Sequence, residues 1–258
     1  MTALGRSGKT TAQASLGRLG LGRVPMILMY HAVADVAEDP NQLCVTPGRF
    51  AEQMTALQRL GLCGVGIGTL VKAMRAGRQR GLVGITFDDG YVNVLKAAVP
   101  ELQRRGFTAS VFIISDRLSG TNDWDQGPAW PLLSASQVGE LAAAGMEIGS
   151  HGATHVRLAG LDAGRLEAEV SGSRASLGEL TGAPVRGFAY PYGSMDAPAR
   201  RAVHEAGYDY ACAVETPMAD LGLMALPRIY VGQRDGAARL TAKRVLYRGY
   251  IAVKGRRP

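Results

Sequence analysis

Two short segments of this chain carry side chains able to hold and use a metal ion: Thr86-Phe87-Asp88-Asp89-Gly90 and Ser150-His151-Gly152-Ala153-Thr154-His155. The first closes an apolar run with two acids. Successive side chains of a strand point to opposite faces, so both carboxylates reach one cavity only where the backbone turns, and Gly90 eases such a turn. A turn with helix-capping acids would show the same residues. In the second segment the histidines are four apart, and one helical turn would place both imidazoles on one side, close enough to share an ion. Together with Asp89 they supply three ligands and leave room for water, which is the pattern of a catalytic rather than a closed structural site. A hydrogen-bonded surface pair is the other reading, and it leaves half of the chain's four histidines without a task.

Further candidates stand near other apolar runs. His31 directly follows Met26-Ile27-Leu28-Met29-Tyr30. Imidazole exchanges its proton near neutral pH, which suits an acid that protonates a departing amine. His204, inside Arg201-Ala202-Val203-His204-Glu205-Ala206, reads as a solvent-facing helical residue. Tyr190, Pro191 and Tyr192 offer an aromatic surface for a sugar and a backbone donor near a reacting carbonyl, or else core packing. Arg228 can pair with Asp88 and hold its carboxylate, and a surface cation is the plainer alternative. Trp124 sits between two aspartates in the long loop from Asp116 to Leu133, where it is either a substrate wall or a loop anchor.

The elements that must position these groups follow from hydrophobic pattern. Seven apolar runs read as strands: Met26 to Tyr30, Val83 to Phe87, Thr108 to Ile113, Met146 to Gly149, Arg186 to Tyr190, Tyr208 to Val214 and Leu226 to Val231. Most are continuous rather than alternating, as expected of parallel strands covered on both faces. Helices are expected over Phe50 to Leu60, Thr69 to Ala76, Asn93 to Arg105 with a local adjustment at Pro100, Ser136 to Ala144, Asp162 to Leu180, and Asp196 to Glu205. The repeated order strand, loop, helix predicts an α/β fold, an irregular (β/α) barrel of about seven strands, with a flat doubly wound sheet as the alternative. In a barrel, functional groups gather beyond the C-terminal strand ends. His31, Asp88, Asp89, His151, Pro191 and Arg228 all lie at or near such ends.

With these residues in place, the chain resembles the polysaccharide deacetylases, carbohydrate esterase family four with the NodB-like domain, over roughly residues 24–232. Thr86 to Gly90 is similar to the family's first motif and Ser150 to His155 to its second. That resemblance implies Asp88 as general base, Asp89, His151 and His155 as metal ligands, and a deformed barrel. The Met29-Tyr30-His31 and Ala189-Tyr190-Pro191-Tyr192-Gly193 segments are similar to bacterial poly-N-acetylglucosamine deacetylases, which implies His31 as catalytic acid. The commoner branch differs, since its acid histidine comes near the end, and here no histidine follows His204. The implied cofactor is a divalent metal, commonly Zn²⁺ and sometimes Co²⁺ or Ni²⁺, and the implied partner is an N-acetylated saccharide or glycoconjugate. Other readings of the same residues are a metal amidohydrolase for a cyclic imide, ureide or other small amide, and a nonenzymatic saccharide-binding protein. No Gly-x-Ser-x-Gly elbow occurs to suggest a serine nucleophile.

Composition bounds the rest. At 258 residues and 47% hydrophobic the chain can bury a substantial core. Of its 29 basic residues ten lie in residues 1–23 and 243–258, which hold no acid, leaving 19 against 22 acidic residues in the body. Three parts are expected: a basic leader over 1–23, a catalytic domain over 24–242 and a basic tail over 243–258. The ends suit peripheral contact with an anionic membrane or plain solvation, and without interleaved aromatics they give no stacking platform for nucleic acid. The three cysteines lack zinc-knuckle or redox spacing. Glycine and arginine interrupt the leading leucines before a signal core forms, and no apolar stretch reaches ~18 residues, so a cytoplasmic location is expected.

Overall fold

The computed structural model describes residues 25–214 and 222–254. All seven expected strands are present, most of them shorter than the runs that announced them: β1 (Ile27–Tyr30), β5 (Leu82–Phe87), β6 (Ser110–Ile113), β7 (Glu147–Ser150), β8 (Gly187–Ala189), β9 (Tyr210–Cys212) and β10 (Ile229–Tyr230). They form one parallel sheet in the order β10-β1-β5-β6-β7-β8-β9. An eighth strand, β4 (Cys63–Val65), pairs with the first half of β5, and β6 pairs with its second half. The sheet is curled and open, and a parallel bridge from Cys212 to Leu226 brings the segment leading into β10 beside β9. A separate pair, β2 (Ala32–Val33) and β3 (Cys44–Val45), follows β1.

Side-chain alternation explains why the runs are apolar throughout. Leu28, Tyr30, Val83, Ile85, Phe87, Val111, Ile113 and Phe188 join the core beneath the surrounding helices. Ile27, Phe112, Ala189, Tyr210 and Cys212 face the other way, with Ile67, Leu70, Val71 and Met74 of α2 (Ile67–Arg75) packed against them. This inner row includes glycines where large neighbours cross it. A Cβ on Gly187 would lie 2.1 Å from the hydroxyl of fully buried Tyr210. Gly187→Ala is therefore expected to cost about 1–3 kcal/mol through overpacking. Gly139→Ala, in α4 (Ala135–Ala143) with nothing near its Cβ, should be neutral or add up to about 1 kcal/mol. Urea unfolding of both variants beside the parent chain checks the contrast.

The remaining helices are α1 (Pro47–Arg59), α3 (Val99–Arg104), α5 (Ala163–Glu167), α6 (Ser173–Thr181), α7 (Ala197–Glu205) and α8 (Ala237–Lys254). Several depart from the sequence expectations: α1 starts at Pro47 rather than Phe50, α2 at Ile67 rather than Thr69, and α8 was not expected. Three further departures have a visible local cause. The helix expected from Ser136 starts earlier, because Ser134 accepts from the Gln137 amide and the Gln137 side chain accepts from the Ser134 amide, a closed capping box. The adjustment expected at Pro100 is a π turn over Val94–Ala98 that runs into α3. The single helix expected over Asp162 to Leu180 is broken by another π turn, Ala168–Gly172, between α5 and α6.

The expected basic tail over 243–258 is helical as far as Lys254. Lys243 bonds to Asp235 and to the Tyr230 carbonyl, Arg244 reaches the Leu60 carbonyl, and Tyr247 is buried. Those two cations are thus engaged with the body. Residues 1–23, the expected leader, lie outside the described residues. Among the described residues no helix is long and apolar enough to cross a membrane.

Candidate metal centre and active site

The inward rows of the strands, continued past their C-terminal ends, supply the polar groups of the site. Ile27 and Met29 lead to His31, Gly84 and Thr86 to Asp88, and Gly149 to His151. Three strands thereby aim three functional side chains into one mouth without any special backbone. Asp89 has the wrong parity. It joins them because its own backbone turns into the left-handed region at φ 70°, followed by Gly90 at φ 75°. An L residue with a side chain adopts that conformation only under constraint, and Leu133 bonding to the Gly90 carbonyl helps to hold it.

The histidine segment is not the helical turn that the four-residue spacing suggested. It is a loop with Gly152 at φ 81° and His155 at φ 66°. The imidazoles nonetheless meet, with ring centroids 5.1 Å apart. His151 Nε2 and His155 Nε2 each lie 3.4 Å from the same oxygen, Asp89 Oδ1. That is too long for a good hydrogen bond, and close to the ~3.4 Å edge of a tetrahedron with bonds of about 2.1 Å. His151 Nδ1 lies 2.8 Å from the Ala189 carbonyl, which can only accept, so Nδ1 carries the hydrogen and Nε2 presents a lone pair. The donor set of two imidazoles and a carboxylate, all buried and with donor atoms within 4.8 Å of one another, fits a divalent cation.

Electrostatics keep the acids ionised. Burial pushes the Asp88 carboxyl up, but the charge of Arg228, with those of His151 and His31 and the Arg228 hydrogen bonds, holds it below the ordinary carboxylate range. Arg228 is bidentate on Asp88, at 2.6 and 2.8 Å, and also reaches Thr86 Oγ1 and the Ala213 carbonyl. Both partners are buried. The expected Arg228–Asp88 pair is therefore present. Burial likewise pushes Asp89 up, and the two adjacent imidazoles reverse this to hold it well below the usual range. Burial lowers both histidines. Asp88 and Asp89 more than compensate at His151, whereas His155, beside His151, stays low.

A cavity of about 230 Å³ opens over these groups, lined by His31, Asp88, Asp89, His151, His155, Tyr190 and Tyr192, among others. Tyr190 is fully buried and donates its hydroxyl to the Met224 carbonyl, so it belongs as much to the wall's support as to its surface. Pro191 is buried, and Tyr192, at φ 56°, is 42% exposed with Arg157 lying 4.3 Å over its ring. Trp124 packs on His155 at 4.5 Å between ring centroids, on which Tyr192 also rests at 4.6 Å. His204 is exposed on α7, away from this mouth, as expected.

Sequence reasoning passed over several groups. Asn41, Leu43, Asp125 and Val214 line the cavity, brought there by loops that carry no motif. Glu169 is buried beneath the histidine loop and accepts the amides of Ala153 and Thr154.

The polysaccharide deacetylase family model matches residues 75–211, which include both metal-ligand segments. The chain belongs to the polysaccharide deacetylase family. Among curated proteins it is similar to YxkH of Bacillus subtilis, whose name assigns it to the same family, at 28% identity over 149 residues, 57% of this chain and 50% of that protein. The chain thus spans half the length of that relative. Its fold is similar to the Bacillus cereus polysaccharide deacetylase BC0361, at 25% identity and a TM-score of 0.71 over 84% of this chain and 67% of the other. The Streptococcus pyogenes deacetylase PplD, crystallised with acetate, shares the fold at 20% identity and a TM-score of 0.73, over 84% of this chain and 96% of that one.

Proposed function

We propose that this chain is a metal-dependent hydrolase that removes the N-acetyl group of an amino sugar or its polymer, releasing acetate and a free amine. The observation that carries the reading is the convergence of Asp89, His151 and His155 on one point with the ionised Asp88 beside them. A divalent ion held by those three residues would polarise the acetamide carbonyl and acidify a water. Zinc suits the donor set, and cobalt or nickel would also be accepted.

Asp88, fixed by Arg228, takes the proton of the attacking water. The backbone N–H of Tyr192, in the turn beside His155, is a donor for the oxyanion. His31 then protonates the amine as the carbon–nitrogen bond breaks. Tyr190, Pro191 and Tyr192 shape the wall toward the sugar, and Trp124 buttresses His155. We assign residues 24–242 as the catalytic unit. The Tyr30-His31 segment at the end of β1 supports the poly-N-acetylglucosamine type of substrate. The basic residues at the two ends of the chain suit an anionic surface nearby, although Lys243 and Arg244 are already engaged.

Acetate and free amine released from N-acetylglucosamine oligomers test the reading, with a cyclic imide as the competing substrate. Turnover should vanish on chelation and return with Zn²⁺ or Co²⁺. Hydrolysis of the imide alone would overturn it. In the same assay His31→Ala should slow the amide about 10²-fold and an activated acetate ester far less, because an activated alcohol leaves without an acid. Equal losses on both would remove His31 from the acid role.

A further inference from the structure

Glu169 lies on the buried side of the helical stretch that follows the histidine segment, with Leu166, Val170, Ser173 and Leu177. A π turn at Ala168–Gly172 joins α5 to α6 there, and the Glu169 carboxylate is buried under the loop that carries both histidines. Its Oε2 accepts the amides of Ala153 at 2.9 Å and Thr154 at 3.0 Å, and its Oε1 accepts the Thr154 hydroxyl. Gly152, at φ 81°, has a backbone that favours glycine, and a Cβ there would press on Oε2 at 3.0 Å. The same stretch of chain grips the start of the segment. Ser173 Oγ, at the head of α6, meets Ser150 Oγ at 2.7 Å, and Ser150 Oγ accepts the Gly152 amide at 3.1 Å.

No salt-bridge cation meets Glu169 among the described residues. Its charge is balanced by the loop's own donors, so these hydrogen bonds are of the stronger, charge-assisted kind. They fix the two residues immediately before His155, whose left-handed backbone needs an outside hold. We infer that Glu169 is a positioning residue of the metal centre, one that sets the His151–His155 geometry through the 152–154 backbone without touching the ion. This rests on the proposed metal site.

The test is Zn²⁺ affinity, measured by competition with a chromophoric chelator, together with the Co²⁺ absorption spectrum, on the full chain. Glu169→Ala should bind zinc about 10- to 100-fold more weakly and change the cobalt band shape. Glu169→Gln keeps the reach: its oxygen can take both amides, and the Thr154 hydroxyl can turn to accept from its amide nitrogen, so affinity should stay within about threefold of the parent. Glu169→Asp keeps the charge but falls a methylene short, and should lose affinity as the alanine variant does. Leu177→Ala, a buried apolar truncation on α6, should unfold at lower temperature with zinc affinity unchanged. Parent-like affinity in both the alanine and aspartate variants would overturn the inference. So would a loss at Leu177→Ala equal to theirs, or a glutamine variant as weak as the alanine one. Should the alanine variant fail to fold, the glutamine and aspartate pair decides. A parent chain that binds no zinc overturns the functional reading and this inference together.

Discussion

Asp88→Asn is expected to lower kcat for N-acetyl hydrolysis by about 10²- to 10⁴-fold, the contribution typical of a positioned acid or base, while metal content stays at the parent level. The carboxamide has nearly the shape of the carboxylate, and Asp88 is not among the three clustered donors. What it loses is the group that takes a proton from water. The substitution also halves the bidentate contact with Arg228, which is buried and always charged. Removing one partner of a buried ion pair outright costs about 3–5 kcal/mol, and asparagine, which keeps one acceptor, should cost less. Metal analysis and thermal unfolding on the assayed sample therefore belong to the experiment. A folded, metal-replete Asp88→Asn with parent turnover would take the base away from Asp88. Arg228→Lys gives a complementary expectation: a point charge cannot match the fork, so kcat should fall while Asp88 remains chemically intact.

How far this site was legible depended on what each residue owes to local pattern. His31, Asp88 and His151 were readable because strand alternation carries straight past the ends of β1, β5 and β7, whose outward-facing residues are apolar apart from Ser150 at the end of β7. Asp89 was half readable. Gly90 signalled a turn, but the turn starts one residue earlier, in Asp89 itself. For His155 the spacing named the right partner by the wrong geometry, since two left-handed residues do what a helical turn was expected to do.

Glu169 was hidden by its helix. In Asp162 to Leu180 a regular 3.6-residue period gives an acceptable amphipathic pattern, and nothing in residue type marks the extra residue of a π turn. The strands β4, β2 and β3 escaped because two or three residues, one of them glycine, carry no period. Asn41 and Asp125 reach the cavity through loops whose path is set by tertiary contacts, such as the Asn41 amide donating to the Gln126 carbonyl.

Removing a ligand should act where removing the base does not. His151→Ala and Asp89→Ala are each expected to weaken Zn²⁺ binding by more than the ~100-fold upper range seen when only an outer partner of a ligand is lost, and to abolish turnover at micromolar metal. The reason is geometric. With donor atoms that all lie within 4.8 Å of one another, two residual ligands bite an ion but do not enclose it. The two variants should differ in stability without metal. Asp89→Ala removes the carboxylate lying 3.4 Å from both imidazoles and leaves His151, raised by Asp88 and Asp89, with less to offset its burial. His151→Ala instead frees the Ala189 carbonyl and opens a small void behind the site. Calorimetric titration of the metal-free proteins with Zn²⁺, beside urea unfolding in chelator, separates binding from folding. Stoichiometric zinc bound at parent affinity by both folded variants would disprove the ligand assignment. A loss confined to the metal titration, with His31→Ala retaining its zinc, would place the ion among Asp89, His151 and His155 and leave His31 free for proton transfer.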